Sequence, residues 1–183
     1  MKNEWSTRFP ECSTDGGNEV TRLDLLGVLC DVTREATADI IMPARMQKGD
    51  EEQLFRTADV HRMRLPDSSA AQKKAPYIIH QAITSRDTQP AGERVSSVAT
   101  VRSIFCVYND NEEEGGLMLL GLMERLRIHL LRQVVIGVRY QLDLEAGMES
   151  LIYPDDTAPY YAGEMSSTWI LPAIKREVKN IWQ

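Results

Sequence analysis

Residues 93–132 read ERVSSVATVRSIFCVYNDNEEEGGLMLLGLMERLRIHLLR, and their hydrophobic period changes halfway along. From Glu93 to Tyr108 the odd positions Val95, Ser97, Ala99, Val101, Ser103, Phe105 and Val107 are all small or apolar, while Arg102 and Tyr108 fall opposite. Side chains alternate between the two faces of a strand, so this stretch predicts a long strand with one face on a core. From Leu117 to Arg132 the period becomes helical. At about 100° per residue, Leu119, Leu122, Met123, Leu126 and Leu130 share roughly a third of the circumference. A strand followed directly by an amphipathic helix requires a sheet with a helix packed on it.

The flanking segments extend that plan. Upstream, Val20 to Ile41 predicts a helix whose stripe is Leu23, Leu26, Leu29, Cys30, Ile40 and Ile41, ended by Pro43. Thr21 and Asp24 have capping-box spacing, and Asn18 competes as the cap. Ala44 to Thr57 is charged and reads as a short helix or a linker. Asp59 to Leu65 and Tyr77 to Ile83 predict strands, separated by a polar loop from Pro66 to Ala75 that carries Lys73 and Lys74. Downstream, Val138, Tyr140, Leu142 and Leu144 alternate with polar residues and predict a half-buried strand. Tyr160 to Leu171, with Tyr161, Met165, Trp169 and Leu171 on one face, predicts the strand that closes the sheet. Ala173 to Gln183 reads as a short terminal helix. The expected fold is α+β, a single domain with a mixed or antiparallel sheet of about four to five strands and two main helices packed on it. Residues 1–18 read as a flexible arm, 19–175 as the domain and 176–183 as a tail.

Composition narrows the function classes. The chain has 183 residues with a net charge of -6, 43% hydrophobic and 26% charged, which argues against a dedicated basic nucleic-acid binder and against disorder. The longest uncharged apolar run, Gly115 to Met123, is far short of the roughly 20 residues that a bilayer requires. The polar first twenty residues hold no secretory apolar region. Cys12, Cys30 and Cys106 are odd in number and scattered, which fits reduced thiols in a cytosolic product better than a disulfide framework. Charge is uneven: residues 1–57 sum to -4, 58–108 to +3 and 109–183 to -5. That pattern is either ordinary surface variation or a molecule whose ends meet differently charged partners.

No motif supports catalysis. His61, His80 and His129 lack metal-ligand spacing, and the sequence contains no HExxH, CxxC, G-x-S-x-G, Walker A or dinucleotide fingerprint. An EF-hand reading of Asp110-Asn111-Glu112-Glu113-Glu114-Gly115-Gly116 fails because its twelfth position is Gly121 and a strand precedes it. The acidic run instead suits the positive end of the following helix, with the glycines permitting the turn. No catalytic residue, cofactor or metal is therefore assigned. A small metabolic enzyme, with a site assembled from His80, Cys106 and the acidic loop, stays as a rival of another class.

The second helix carries more apolar residues than a core stripe needs. Leu117, Leu120, Ile128 and Leu131 lie away from that stripe, among Glu124, Arg125, Arg127 and Arg132. A second apolar strip beside arginines reads either as scattered surface residues or as a subunit interface. The interface set is Leu117, Leu120, Arg125, Ile128, Leu131 and Arg132, with Lys73 and Lys74 of the loop. Trp5 and Phe9 of the arm are apolar side chains that can cover the strip in a monomer.

Four segments in order carry a family resemblance: Pro76-Tyr77-Ile78-Ile79, Ile104-Phe105-Cys106-Val107-Tyr108-Asn109-Asp110, Leu119-Leu120-Gly121-Leu122-Met123-Glu124-Arg125-Leu126-Arg127, and Pro159-Tyr160-Tyr161-Ala162-Gly163-Glu164-Met165-Ser166-Ser167-Thr168-Trp169. Together, over residues 58–175, they resemble tail terminator or tail-completion proteins of long-tailed bacteriophages and prophages. The first 57 residues depart most from that pattern. The resemblance implies a nonenzymatic virion-assembly protein, a homo-oligomeric ring, hexameric in expectation, that stops growth of the tail tube at its head-proximal end. Its implied partners are copies of itself, the tail tube protein and the head connector or neck proteins. It implies no membrane and no sequence-specific nucleic acid, DNA passing through the ring, and places the protein in the bacterial host cytoplasm during assembly and then in the virion neck. A head-completion or connector protein is the neighbouring alternative.

Overall fold

The structure, a computed structural model, describes residues 21–46, 52–66, 74–154 and 158–174. The expectations for the arm, its Trp5 and Phe9, Cys12, Asn18, Lys73 and the tail beyond Ile174 lie outside the described residues. The elements run α1 (Arg22–Thr37), β1 (Met42–Pro43), β2 (Phe55–Arg56), β3 (Asp59–Arg62), β4 (Tyr77–Thr88), β5 (Ser96–Tyr108), α2 (Glu112–Gln133), β6 (Val135–Ile136), β7 (Tyr140–Leu142), β8 (Met148–Ile152) and β9 (Tyr160–Leu171).

A mixed sheet of seven strands has the order β3-β4-β5-β9-β7-β6, and β8 also pairs with β9, alongside β7. Only β3 and β4 are parallel in it. Both helices cover one face, so the fold class is the expected α+β with more strands than expected. The odd positions of β5 from Ser97 to Val107 are buried as alternation requires. Ala99, Val101, Phe105 and Val107 meet Leu25, Leu26 and Leu29 of α1, Leu119, Leu122, Met123, Leu126 and Leu130 of α2, and Met165, Trp169 and Leu171 of β9 in one core. The opposite face holds a smaller cluster of Tyr77, Ile79, Cys106, Tyr108 and Tyr160, roofed by Leu65 and Ala75.

Thr21 caps α1. Its backbone N–H donates to Asp24 Oδ2 at 3.1 Å, and Asp24 N–H donates to Thr21 Oγ1 at 3.2 Å, closing the reciprocal box. The helix stops at Thr37 rather than Ile41, and Leu23 and Ile41 are exposed rather than in the core. Pro43 does not end the helix; it lies in β1, which pairs antiparallel with β2. The stripe misleads because two threonines complete the buried face. Thr33 Oγ1 donates to Leu29 O at 2.7 Å and Thr37 Oγ1 to Thr33 O at 2.8 Å, which satisfies hydroxyls that burial would otherwise penalise.

Three other expectations need correction. The segment from Ala44 to Thr57 is neither a helix nor a plain linker where it is described, because Phe55–Arg56 is a strand. The alternation from Val138 to Leu144 overruns the real strand: Val138 sits in a turn with φ 66° and is 93% exposed, and Leu144 is exposed. Asp143 ends the strand, its carboxylate accepting from the N–H groups of Glu145 and Ala146 at 3.0 and 3.1 Å. Finally, β9 does not close the sheet. It runs through the middle, paired with β5 along its whole length and with β7 and β8 on its other edge.

Candidate subunit interface

Helix α2 begins at Asn111, whose side-chain oxygen accepts from the backbone N–H groups of Glu113 and Glu114 at 3.1 and 3.3 Å. Glu112, Glu113 and Glu114 occupy the first turn, where the helix dipole favours negative charge. The two glycines are not part of a turn before the helix, as the sequence suggested, but lie inside it. Gly115 is buried because the Tyr161 ring of β9 occupies the place of its missing side chain.

With the core stripe of α2 fully engaged, its other side faces away from the described core. Leu117, Leu120, Ile128 and Leu131 are exposed, by 63, 44, 39 and 37% respectively. On a helix of about 3.6 residues per turn these four fall on one arc, with Glu124 between the pair Leu117 and Leu120 and the pair Ile128 and Leu131, and Arg132 continues it. Single exposed apolar residues are ordinary, whereas four on one arc of one helix make a patch.

The arginines do different jobs. Arg125 donates to Asp39 at 2.5 Å, tying α2 to the turn after α1. Arg127 makes a two-pronged contact with Glu124 at 2.8 and 2.7 Å, lowering the carboxyl pKa of Glu124 and raising that of its own guanidinium. Arg132 pairs with no carboxylate among the described residues. Lys74 lies away from this helix, at the foot of the loop, where its ammonium meets Pro66 O and its own carbonyl accepts from Arg56 at 2.5 Å. The structure therefore brings Leu117, Leu120, Arg125, Ile128, Leu131 and Arg132 onto one helix and places Lys74 elsewhere.

Beside the patch lies an open groove of about 560 Å³ between the C-terminal half of α1 and α2. Glu35, Ala36 and Asp39 form one wall, and Gly121, Glu124, Arg125, Ile128, His129 and Arg132 the other. A Cβ at Gly121 would meet nothing within 4 Å, so the groove floor is open there. His129 Nε2 is buried at its border without a hydrogen-bond partner among the described residues.

A second polar constellation, missed in the sequence, is buried in the core. His80 Nε2 lies 2.9 Å from Thr33 Oγ1 and His80 Nδ1 lies 2.8 Å from Ser103 Oγ. Because Thr33 donates its hydroxyl proton to Leu29 O, its oxygen accepts from Nε2–H, which leaves Nδ1 to accept from Ser103. Burial, with a smaller contribution from the Arg34 charge, pushes the His80 pKa down to about 3, so the ring is neutral near pH 7. Serine beside histidine has the chemistry of a nucleophile and its base. Here both are almost fully buried, and neither lines the groove between α1 and α2, so the trio cross-links α1, β4 and β5. Cys106 belongs to the cluster on the opposite face of the sheet, where burial raises its thiol pKa. A site combining His80, Cys106 and the acidic loop is thus not assembled.

Among the described residues no group of three His, Cys, Asp or Glu side chains is placed to hold a metal ion. No helix among the described residues is long and apolar enough to cross a membrane. No family model matches the chain, and no curated protein matches it.

Proposed function

We propose that this protein is a virion-assembly component of the tail-terminator kind, forming a closed ring at the head-proximal end of a tail tube. The observation that carries the reading is the exposed strip Leu117, Leu120, Ile128 and Leu131 on a helix whose opposite side already fills the core. A ring needs one patch on each copy that fits a different patch on the next. The strip, with Arg132 at its end and the groove at its side, supplies apolar surface bordered by charge, the composition of interface centres and rims. The resemblance over residues 58–175 gives the number six, the tube as the surface that is capped and the neck proteins as the partners on the other side.

Native mass spectrometry and negative-stain imaging of the purified protein mixed with tail tubes test this directly. The expected result is a six-membered ring seated at one end of each tube. A protein that stays monomeric and unattached in the presence of tube ends refutes it.

A further inference from the structure

The two long edges of the main sheet are treated differently. At one edge, the outward carbonyls of β3 are already used: Val60 O accepts from Arg34 at 3.0 Å and Arg62 O from Arg64 N–H at 2.7 Å. At the other edge, β8 pairs with β9 on one side and with no other strand among the described residues. Tyr153 N–H donates to Ala162 O at 3.0 Å, continuing that ladder in register. Because bonded and outward residues alternate along an antiparallel pair, Leu151 and Glu149 also bond to β9. The N–H and C=O groups of Met148, Ser150 and Ile152 then point away from the sheet.

An edge that is not blunted pairs with another chain, and natural edges are usually protected by lysine, proline or a bulge. None of these lies in β8, whose sequence is Met148-Glu149-Ser150-Leu151-Ile152. Its side chains are open as well: Leu151 is 53% exposed, Ile152 is 41% exposed, and Tyr153 beyond it is exposed too. The sequence on either side of it carries charge of one sign. Residues 140–174 carry six acidic side chains and no Lys, Arg or His. Across the sheet Arg102, in register with Ser166 and Glu149, is held by Gln81 at 2.8 Å and by Glu164 at 3.7 Å.

We infer that β8 is a docking edge for an extended, lysine- or arginine-bearing segment of another polypeptide, which joins the sheet as an added strand. Backbone hydrogen bonds to Met148, Ser150 and Ile152 give the pairing; Ile152, on the face that Met148 turns to the core, takes alternate apolar side chains, and Glu149 on the opposite face, with the acidic surroundings, selects basic ones. A second copy pairing β8 to β8 is disfavoured, since it would bring two acidic edges together. The inference does not depend on the ring: it rests on the outward backbone groups of β8 and not on the exposed strip of α2.

The test uses the full chain and the peptide Lys-Val-Lys-Val-Lys-Val-Lys, with Glu-Val-Glu-Val-Glu-Val-Glu as the charge control. The lysine peptide is expected to bind saturably and at least tenfold more tightly than the control. Binding is expected to slow amide exchange at Met148, Ser150 and Ile152, while Glu149 and Leu151, already bonded to β9, stay unchanged. Ser150→Pro removes an outward N–H without breaking the β8–β9 ladder and is expected to weaken binding at least tenfold. If that variant melts early, the fully N-methylated lysine peptide, which has no donors to offer the edge, serves instead and is expected not to bind. Absence of saturable binding, equal binding of the two peptides, protection without the alternation, or retained binding by the proline variant or the N-methylated peptide would each overturn the inference.

Discussion

Gly115 and Tyr161 share one space: a Cβ built on Gly115 would overlap the Cδ2, Cε2 and Cζ atoms of the Tyr161 ring. The first turn of α2 is therefore pressed directly against β9. Its neighbour Gly116 faces open space, with nothing within 4 Å of a Cβ. Gly115→Ala is expected to destabilise the fold by about 1–3 kcal/mol through overpacking, despite the better helix propensity of alanine. Gly116→Ala, with that propensity and no clash, is expected to stabilise by about 0.5–1 kcal/mol. Opposite shifts in the midpoint of urea unfolding check the pair.

Trp169 is fully buried, and its indole N–H donates to Ser167 Oγ at 3.0 Å. Trp169→Ala removes the largest core side chain and is expected to cost about 3–5 kcal/mol. Ser167→Ala leaves the indole N–H unsatisfied at about 1–3 kcal/mol. Thermal melts of both variants measure the two costs, and an unchanged melt for Trp169→Ala contradicts the observed register.

The buried His80 predicts a specific acid sensitivity. Its pKa is about 3 in the fold against 6.5 for the free group, so the unfolded chain binds the extra proton between those values. The neutral ring's contribution to stability is complete above pH 6.5 and is lost as pH falls from there toward 3. Stability should drop by up to roughly 1.4 kcal/mol per pH unit through this group alone. In His80→Gln that component of the slope between pH 6.5 and 5 should vanish, which a series of urea titrations across the range detects.

Ile128→Asp places a charge in the exposed strip of α2. If the strip is the ring contact, the carboxylate is expected to cost several kcal/mol per interface on desolvation, on the order of the penalty for an unpaired buried charge, and to abolish the ring. The monomer's melt should barely move, because Ile128 is exposed in it. Arg132→Glu should likewise weaken assembly and spare the monomer. Arg125→Ala is different: its exposed pair with Asp39 predicts a loss of at most about 1 kcal/mol from the monomer itself. Sedimentation of the three variants beside their melts separates these outcomes.

The parts of the fold legible in the sequence are those whose burial follows one local period. The odd face of β5 and the stripe from Leu119 to Leu130 are continuous and apolar enough to be read directly. The exposure of Leu117, Leu120, Ile128 and Leu131 follows from the same helical wheel. What escaped the reading depends on partners far along the chain. Ser103 falls on the core face of β5 by alternation, but nothing local pairs it with Thr33 and His80, which satisfy one another only inside the core. Arg125 looks available to a partner, yet Asp39, 86 residues away, already holds it. Strand β8 shows no alternation because nearly all of it is exposed, and Gly115 looks like a turn residue because only the distant Tyr161 ring explains it.

The place of β9 bears on how the nascent chain reaches this fold. It is the last strand described, yet it alone joins the β3-β4-β5 half of the sheet to the short strands β6, β7 and β8. While the ribosome is still making residues 109–159, the paired β4 and β5 present an unfilled edge, and the apolar faces of both helices lack their central floor. A fold completed by pairing across so long a separation in sequence forms slowly and late. Until Tyr160–Leu171 emerges, the growing polypeptide is a client for chaperones, and a ribosome stalled before that point yields a fragment prone to aggregate rather than a smaller working domain.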